Sequence, residues 1–444
     1  MKRLFSLILI TFLLVSYVPQ ATALEGMTEK QITSNYATQR FPTIFKNIIV
    51  WEDWRNGRGD IYIYNLSTNT ERQLSNNPAD QEKPSIYGDK IVWEDWRHKT
   101  NEDQNSDIYL YDLSTNTETQ ITSNTYAQKY PFIHGDKVVY IDDRPNEGGI
   151  YLYDLSTKTE KHIATNSSVQ WKPTIYGDKI VWEDWRNEDT DIYLYDLSTD
   201  TEKKLTSEAD QRNPAIHGNR IIWEDNRNES WDIYTYDLST NTESRVNLSS
   251  AYQGYAAIYR DIIVYEDGRN GVVEGEDNNN IDLYMYDLST NTESELSTNT
   301  ATQWDPVIYE DKIVWEDNRN GNWDIYMADL PGGPDYGSGG GNSGGQTITP
   351  PDRAPQNPAV TPLAPPKNNK AQISVLNKHI RNLNKRIAKL NKEIKGLKKK
   401  LKKAAGKRKL AIKKKVRKLK NQINISKRKI YNLKNHIKKL SLGG

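Results

Sequence analysis

The sequence predicts an all-β seven-bladed propeller whose N-terminal strand closes the last blade, with a C-terminal α-helical coiled-coil hairpin behind it. Three observations predict this. A short aromatic-acidic motif recurs seven times at intervals of about 41 to 50 residues, the range of four-stranded propeller blades. One strand is left over at each end of the repeat array. Beyond the repeats, Ile and Leu recur in alternating steps of three and four, the seam of a coiled coil.

From the N-terminus, Lys2 and Arg3 precede an apolar run from Leu4 to Val18, then Pro19 and the small-residue triplet Ala21-Thr22-Ala23. This reads as a signal peptide over residues 1–23, cut after Ala23. The run is shorter than the roughly 20 residues of a spanning helix, so the expected product is secreted or held at the cell surface. The chain has no cysteine, which excludes a disulfide framework, a thiolate metal site and a lipid-modified cysteine.

The formal net charge of +1 hides a division. Residues 25–330 carry 28 more acidic than basic side chains, whereas residues 371–444 hold 27 Lys and Arg against the single acid Glu393. Two oppositely charged modules are expected.

The repeat occupies residues 24–330. Trp51-Glu52-Asp53-Trp54-Arg55 returns around Trp93, Tyr140, Trp182, Trp223, Tyr265 and Trp315. Within the second copy, Pro84–Tyr87, Lys90–Asp95, Asp107–Leu113 and Thr119–Thr122 are rich in Tyr, Ile, Val and Trp and are divided by Gly, Asn, Asp and Ser, so four strands are expected. The third strands are apolar at most consecutive positions, as when both faces of a sheet are covered. The last copy ends after its third strand, Asp324–Leu330. Its missing fourth strand is expected at Lys30-Gln31-Ile32-Thr33-Ser34, which matches Thr119-Gln120-Ile121-Thr122-Ser123.

A proline before the inner strand, a Gly-Asp turn, an apolar second strand ending in acids plus Arg, then Asp-Ile-Tyr and a terminal Leu-Thr or Ile-Thr recur through residues 30–330. In this pattern the sequence resembles the TolB-like β-propeller repeat family. The resemblance implies a propeller with a binding role. TolB itself is expected to have six blades and an extra N-terminal domain, for which this chain has no room, so its partner is not carried over.

A Gln stands three residues before the inner-strand proline: Gln39, Gln81, Gln128, Gln170, Gln211, Gln253 and Gln303, with Ala256 replacing the proline in the sixth copy. A fixed amide of this kind is expected to tie the loop between blades. The two positions after it vary, and they supply the candidate ligand-binding residues of the channel mouth: Arg40, Phe41, Lys83, Lys129, Tyr130, Trp171, Lys172, Arg212, Tyr255, Trp304 and Asp305. Aromatic faces interleaved with charges suit a sugar or a peptide. The Glu-Asp-x-Arg segment is expected to form Arg–carboxylate brackets.

No catalytic residue and no metal site are predicted, because His98, His134, His162 and His217 form no ligand-type spacing and the acids recur as architecture. No cofactor is expected. The one candidate for calcium is the loop holding Glu274, Glu276, Asp277 and Asp282.

Residues 331–370 turn to Gly, Pro, Ser, Asn and Thr, a flexible linker. Over residues 371–442, Ile373, Leu376, Ile380, Leu383, Ile387, Leu390, Ile394, Leu397 and Leu401 make one seam. Ile412, Val416, Leu419, Ile423, Ile430, Leu433, Ile437 and Leu440 make a second after Gly406. Helices folding back at Gly406 are expected.

The function expected from these features is an exported, non-enzymatic binding or adhesion protein, the propeller holding a glycan or protein. The basic hairpin would hold an anionic polymer, a lipid surface or the acidic propeller; export sets nucleic acid aside. A propeller lyase or glycosidase acting on acidic polysaccharide, and a surface-layer component, are the alternatives.

Overall fold

A computed structural model describes residues 22–24, 27–99, 105–144, 148–164, 169–187, 189–206, 209–228, 230–247, 249–271, 280–297, 299–331, 369–401 and 415. The chain divides into two compact units, Met1–Gly340 and Gly341–Gly444. The first is a propeller of seven antiparallel blades: residues 39–73, 81–120, 128–162, 170–204, 211–245, 253–295, and 303–329 joined by Glu29–Gln31.

Within a blade the strands follow one another by short turns. Blade 2 shows the pattern: Gln81–Tyr87 innermost, then Lys90–Asp95, Asp107–Asp112 and Thr117–Gln120 at the rim. The innermost strand begins at Gln81, three residues earlier than the proline pattern predicts. A bulge between Glu82 and Ser85 interrupts the register. Lys83 adopts a left-handed φ of 53°, and Pro84 falls where the missing N–H costs no ladder bond.

Seven apolar clusters each span the junction of two neighbouring blades. Val50, Ile61 and Ile63 of blade 1 meet Ile86, Ile91 and Trp93 of blade 2. The seventh joins Trp51 and Ile49 of blade 1 to Val314, Ile325 and Met327 of blade 7. The ring therefore closes, and an open superhelix is excluded.

The N-terminal strand seals it as expected, pairing Glu29 with Ala328, Lys30 with Met327 and Gln31 with Tyr326. Ile32 enters the junction cluster. Before it, Thr22–Ala23 runs parallel to the rim of blade 6, opposite Ser294 and Glu295; a cut after Ala23 would detach this pair and leave Glu29–Gln31 in place.

The second unit contributes one helix, Asn369–Leu401, in which Ile380, Leu390 and Ile394 are buried. Ile387 and Leu397 pack with Leu390 and Ile394. Of the second arm of the expected hairpin only Lys415 is among the described residues, so the structure bears out a basic heptad helix and not the hairpin. Among the described residues no helix is long and apolar enough to cross a membrane.

Candidate functional site

Adjacent residues in a strand face opposite ways, so the Glu and Asp of each Glu-Asp-x-Arg segment part company. The Asp turns inward. Asp95, fully buried, accepts hydrogen bonds from Trp93 Nε1 at 3.0 Å and from Arg97 Nε and Nη2 at 2.9 and 2.7 Å. Arg97 Nη1 reaches Glu118 on the rim strand at 2.8 Å, and its guanidinium covers Tyr109 at 3.8 Å. The same bracket recurs around Asp53, Asp142, Asp184, Asp225, Asp267 and Asp317.

The Glu turns toward the channel mouth and is buried too. Phe41, Lys83, Tyr130, Asn213, Tyr255 and Asp305 all have left-handed φ. Their N–H groups donate to the glutamate of the preceding blade: Phe41 to Glu316 at 2.7 Å, Lys83 to Glu52 at 3.3 Å, Tyr130 to Glu94 at 3.4 Å, Asn213 to Glu183 at 2.8 Å, Tyr255 to Glu224 at 2.7 Å and Asp305 to Glu266 at 3.0 Å. Blade 3 departs, with Ile141 in the glutamate's place. This collar of acids was assigned to the Arg bracket in the sequence; the period-two alternation of a strand was the signal that separates the Glu from the Asp.

Burial sets the electrostatics. Desolvation pushes Glu52 up to about 8, with Glu82 adding to the shift. Glu316 is also pushed to about 8 by burial, against the pull of Arg40. Glu266 is raised by burial and then by Asp305. Asp305 is raised by burial, opposed by Arg40 and Lys172, and accepts a hydrogen bond from Glu316. Glu52 and Glu316 hold protons near neutrality.

The structure brings most of the sequence-predicted residues to this mouth. Arg40 Nε bonds Glu316 at 3.0 Å and lies 5.9 Å from the rings of both Trp304 and Trp323, which stack at 4.4 Å. Lys83 Nζ bonds Glu94 at 3.1 Å and covers Tyr130 at 4.4 Å. Tyr130 packs on Trp171 at 4.5 Å. Lys172 bonds Asn213 and lies 5.0 Å from the ring of Tyr255. Arg212 Nε bonds Glu224 at 2.5 Å and stacks over Trp231 at 3.8 Å. Lys129 instead turns to the exposed carboxylate of Asp143 at 2.6 Å. The repeated Gln is structural: Gln81 donates to Ala79 O at 2.5 Å and accepts from Ser75 at 2.9 Å, tying one blade's rim to the next blade's start.

The other end of the channel is girdled. Phe45, Tyr87, His134, Tyr176, His217, Tyr259 and Tyr309 touch in sequence and close on themselves, with centroids 4.8, 4.4, 4.5, 4.6, 4.6, 5.2 and 4.7 Å apart. His134 Nδ1 accepts the Gly177 N–H at 3.3 Å and His217 Nδ1 that of Arg260 at 3.0 Å. Burial lowers both histidines, His217 to about 4.

Among the described residues no three His, Asp or Glu side chains gather as metal ligands. His98 is taken by Asp107 at 2.6 Å and His162 stacks on Tyr151 at 4.3 Å. In the calcium candidate, Glu274, Glu276 and Asp277 lie outside the described residues. Asp282 is pushed to about 6 by burial.

No protein-family model and no curated protein sequence matches the chain. Solved structures do. An oligogalacturonate lyase from Vibrio parahaemolyticus matches with 14% identity and a TM-score of 0.51, over 70% of this chain and 97% of that one. An oligogalacturonate lyase in complex with manganese matches with 12% identity and a TM-score of 0.53, over 70% and 96%. The β-propeller domain of the Trilobed protease from Pyrococcus furiosus matches with 17% identity and a TM-score of 0.52, over 67% and 94%. At these identities the likeness is one of fold, and the TolB-like resemblance is supported no further than a propeller. Among the described residues no cluster of His, Asp and Glu side chains fits a manganese ion. The expectation of a non-enzymatic binding or adhesion protein is overturned in so far as the propellers that this one matches include those of lyases and peptidases.

Proposed function

We propose that the propeller cleaves an acidic, uronate-containing oligosaccharide by β-elimination at the channel mouth. The observation that carries this reading is the meeting of Asp305, raised by burial and backed by Glu316, with Arg40 and Lys172. A uronate carboxylate must be neutralised before its C5 proton becomes acidic enough to leave, and a guanidinium or ammonium at that carboxylate does so. Arg40 and Lys172 take that part. Asp305, made more basic by burial, accepts the C5 proton. The C4–O bond then breaks as the C4–C5 double bond forms. Tyr255, kept protonated because burial and Asp305 raise it, gives its proton to the departing oxygen.

The lyases among the structural matches support this substrate class, and no metal enters the steps. The leader-like N-terminus supports export, and the basic helix supports retention on an anionic polymer or lipid surface. Incubating the full chain with oligogalacturonate, oligomannuronate and glucuronate-containing oligosaccharides tests the reading. Ultraviolet absorbance from unsaturated uronate ends is expected with one of them. New reducing ends without that absorbance would replace elimination by hydrolysis, and no cleavage of any acidic saccharide would sink the proposal.

A further inference from the structure

The glutamate collar is broken at one place, and apolar side chains cover the mouth there. Ile141 of blade 3 stands where six blades have Glu, and Tyr130 and Trp171 pack over the cluster that contains it. On blade 4, Trp171 pairs with Glu183 and Gln170 with Asp184; the Trp185 N–H donates to Val169 O at 3.0 Å, extending the pairing by one residue. Strand alternation therefore sets Val169, Trp171, Glu183 and Trp185 on one face. Glu183 accepts the Asn213 N–H of blade 5 at 2.8 Å, which identifies it as the face turned toward blade 5, while the Trp171 ring touches Tyr130 at the mouth.

The outer part of the strip is exposed: Val169 by 62% and Trp185 by 51%. At the position of Trp185 the first two blades also carry Trp, yet there the ring is tucked in, Trp54 by a bond from its Nε1 to Glu52 at 2.5 Å. Exposed aromatic surface continuous with a cleft marks a binding site more than a core. Cations flank it, with Lys83 over Tyr130 and Lys172 next to Trp171.

We propose that this strip is a stacking subsite that leads an acidic oligosaccharide from the rim into the mouth. Pyranose faces lie on Trp185 and Trp171, and their carboxylates turn to Lys83 and Lys172. The inference rests on the acidic-saccharide reading above and extends it to units beyond the one cleaved.

Binding is measured by titrating the full-chain Asp305→Asn protein, which keeps ligand intact, with galacturonate oligomers from disaccharide to hexasaccharide. Affinity is expected to rise with length. Trp185→Ala and Trp171→Ala, added singly, are expected to cut that rise roughly ten-fold, and Tyr36→Ala, exposed and remote from the strip, to leave it intact. Retained length dependence in both tryptophan variants overturns the subsite while leaving cleavage standing. Length-dependent binding through Trp185 in a protein whose wild type cleaves nothing supports the subsite and removes the lyase reading. Equal affinity for a neutral hexasaccharide, or no binding to any oligomer, overturns the subsite.

Discussion

Arg319 of blade 7 bonds Glu29 of the N-terminal strand at 2.6 Å, and this pair is the seventh copy of one that the other blades make within themselves. Arg55 with Glu71, Arg97 with Glu118, Arg144 with Glu160, Arg186 with Glu202, Arg227 with Glu243 and Arg269 with Glu293 are the other six. The N-terminal strand thus supplies the missing rim down to its side chains. Thr33 repeats the match: its hydroxyl accepts the Ile325 N–H at 2.8 Å, as Ser75 accepts that of Ile61.

The closure should depend on packing more than on charge. Ile32→Ala is expected to cost about 3 kcal/mol through the cavity it leaves. Glu29→Gln, which weakens a partly exposed pair, should cost less than about 1 kcal/mol. Urea denaturation of the two variants checks the order, and a larger loss for Glu29→Gln would refute it.

The buried Asp at the centre of each bracket is a different case. Asp225 accepts from Trp223 Nε1 at 3.2 Å and from the Arg227 N–H and Nε at 2.8 and 3.0 Å. Asp225→Ala leaves those donors without an acceptor and is expected to cost about 3 kcal/mol, read as a lowered denaturation midpoint.

The collar glutamates predict a pH dependence with a definite sign. Glu52 titrates at about 8 in the fold instead of 4.5, so between those values the native chain holds a proton that the unfolded chain has lost. Its contribution to stability is complete below about 4.5 and is lost as pH rises through 8. Glu52→Gln keeps the acceptor for Trp54 and removes the penalty. The variant should exceed wild type in stability above pH 8, with the margin shrinking toward acid; thermal melting across pH measures it.

His217 works in the opposite direction. Its folded value of about 4 lies below the ordinary 6.5, so the unfolded chain takes up the proton first and stability falls as pH drops through that window. Phe45 already fills the same belt position in blade 1. His217→Phe should therefore fold and lose less stability than wild type between neutral pH and pH 4; equal acid sensitivity would assign the loss to other groups.

At the mouth, Asp305→Asn is expected to lower the cleavage rate by about 10²- to 10⁴-fold, the usual worth of a positioned base, while oligouronate binding persists. Arg40→Gln should act mainly on KM. A variant at Asp305 that cleaves as wild type would remove this residue from the chemistry.

Much of this was legible in the chain. Seven copies of one motif, Gly and Pro at fixed offsets and a stray Lys30-Gln31-Ile32-Thr33-Ser34 determined the number of blades and how they join, because each repeat must bury both faces against a neighbour. The mouth residues could be named for the same reason, since symmetry carries one loop position around an axis. What the tertiary structure decided lies between repeats. The left-handed residue of one blade meets the glutamate of the blade before it, and Lys172 of blade 4 reaches the ring of Tyr255 in blade 6. Seven aromatic side chains, each unremarkable before its turn, become one belt. Local pattern dictates which residues form a strand and which face they take. Only the closing of the ring determines which carboxyls are shut away from water and which cations stand beside them, because desolvation depends on what the neighbouring blade covers.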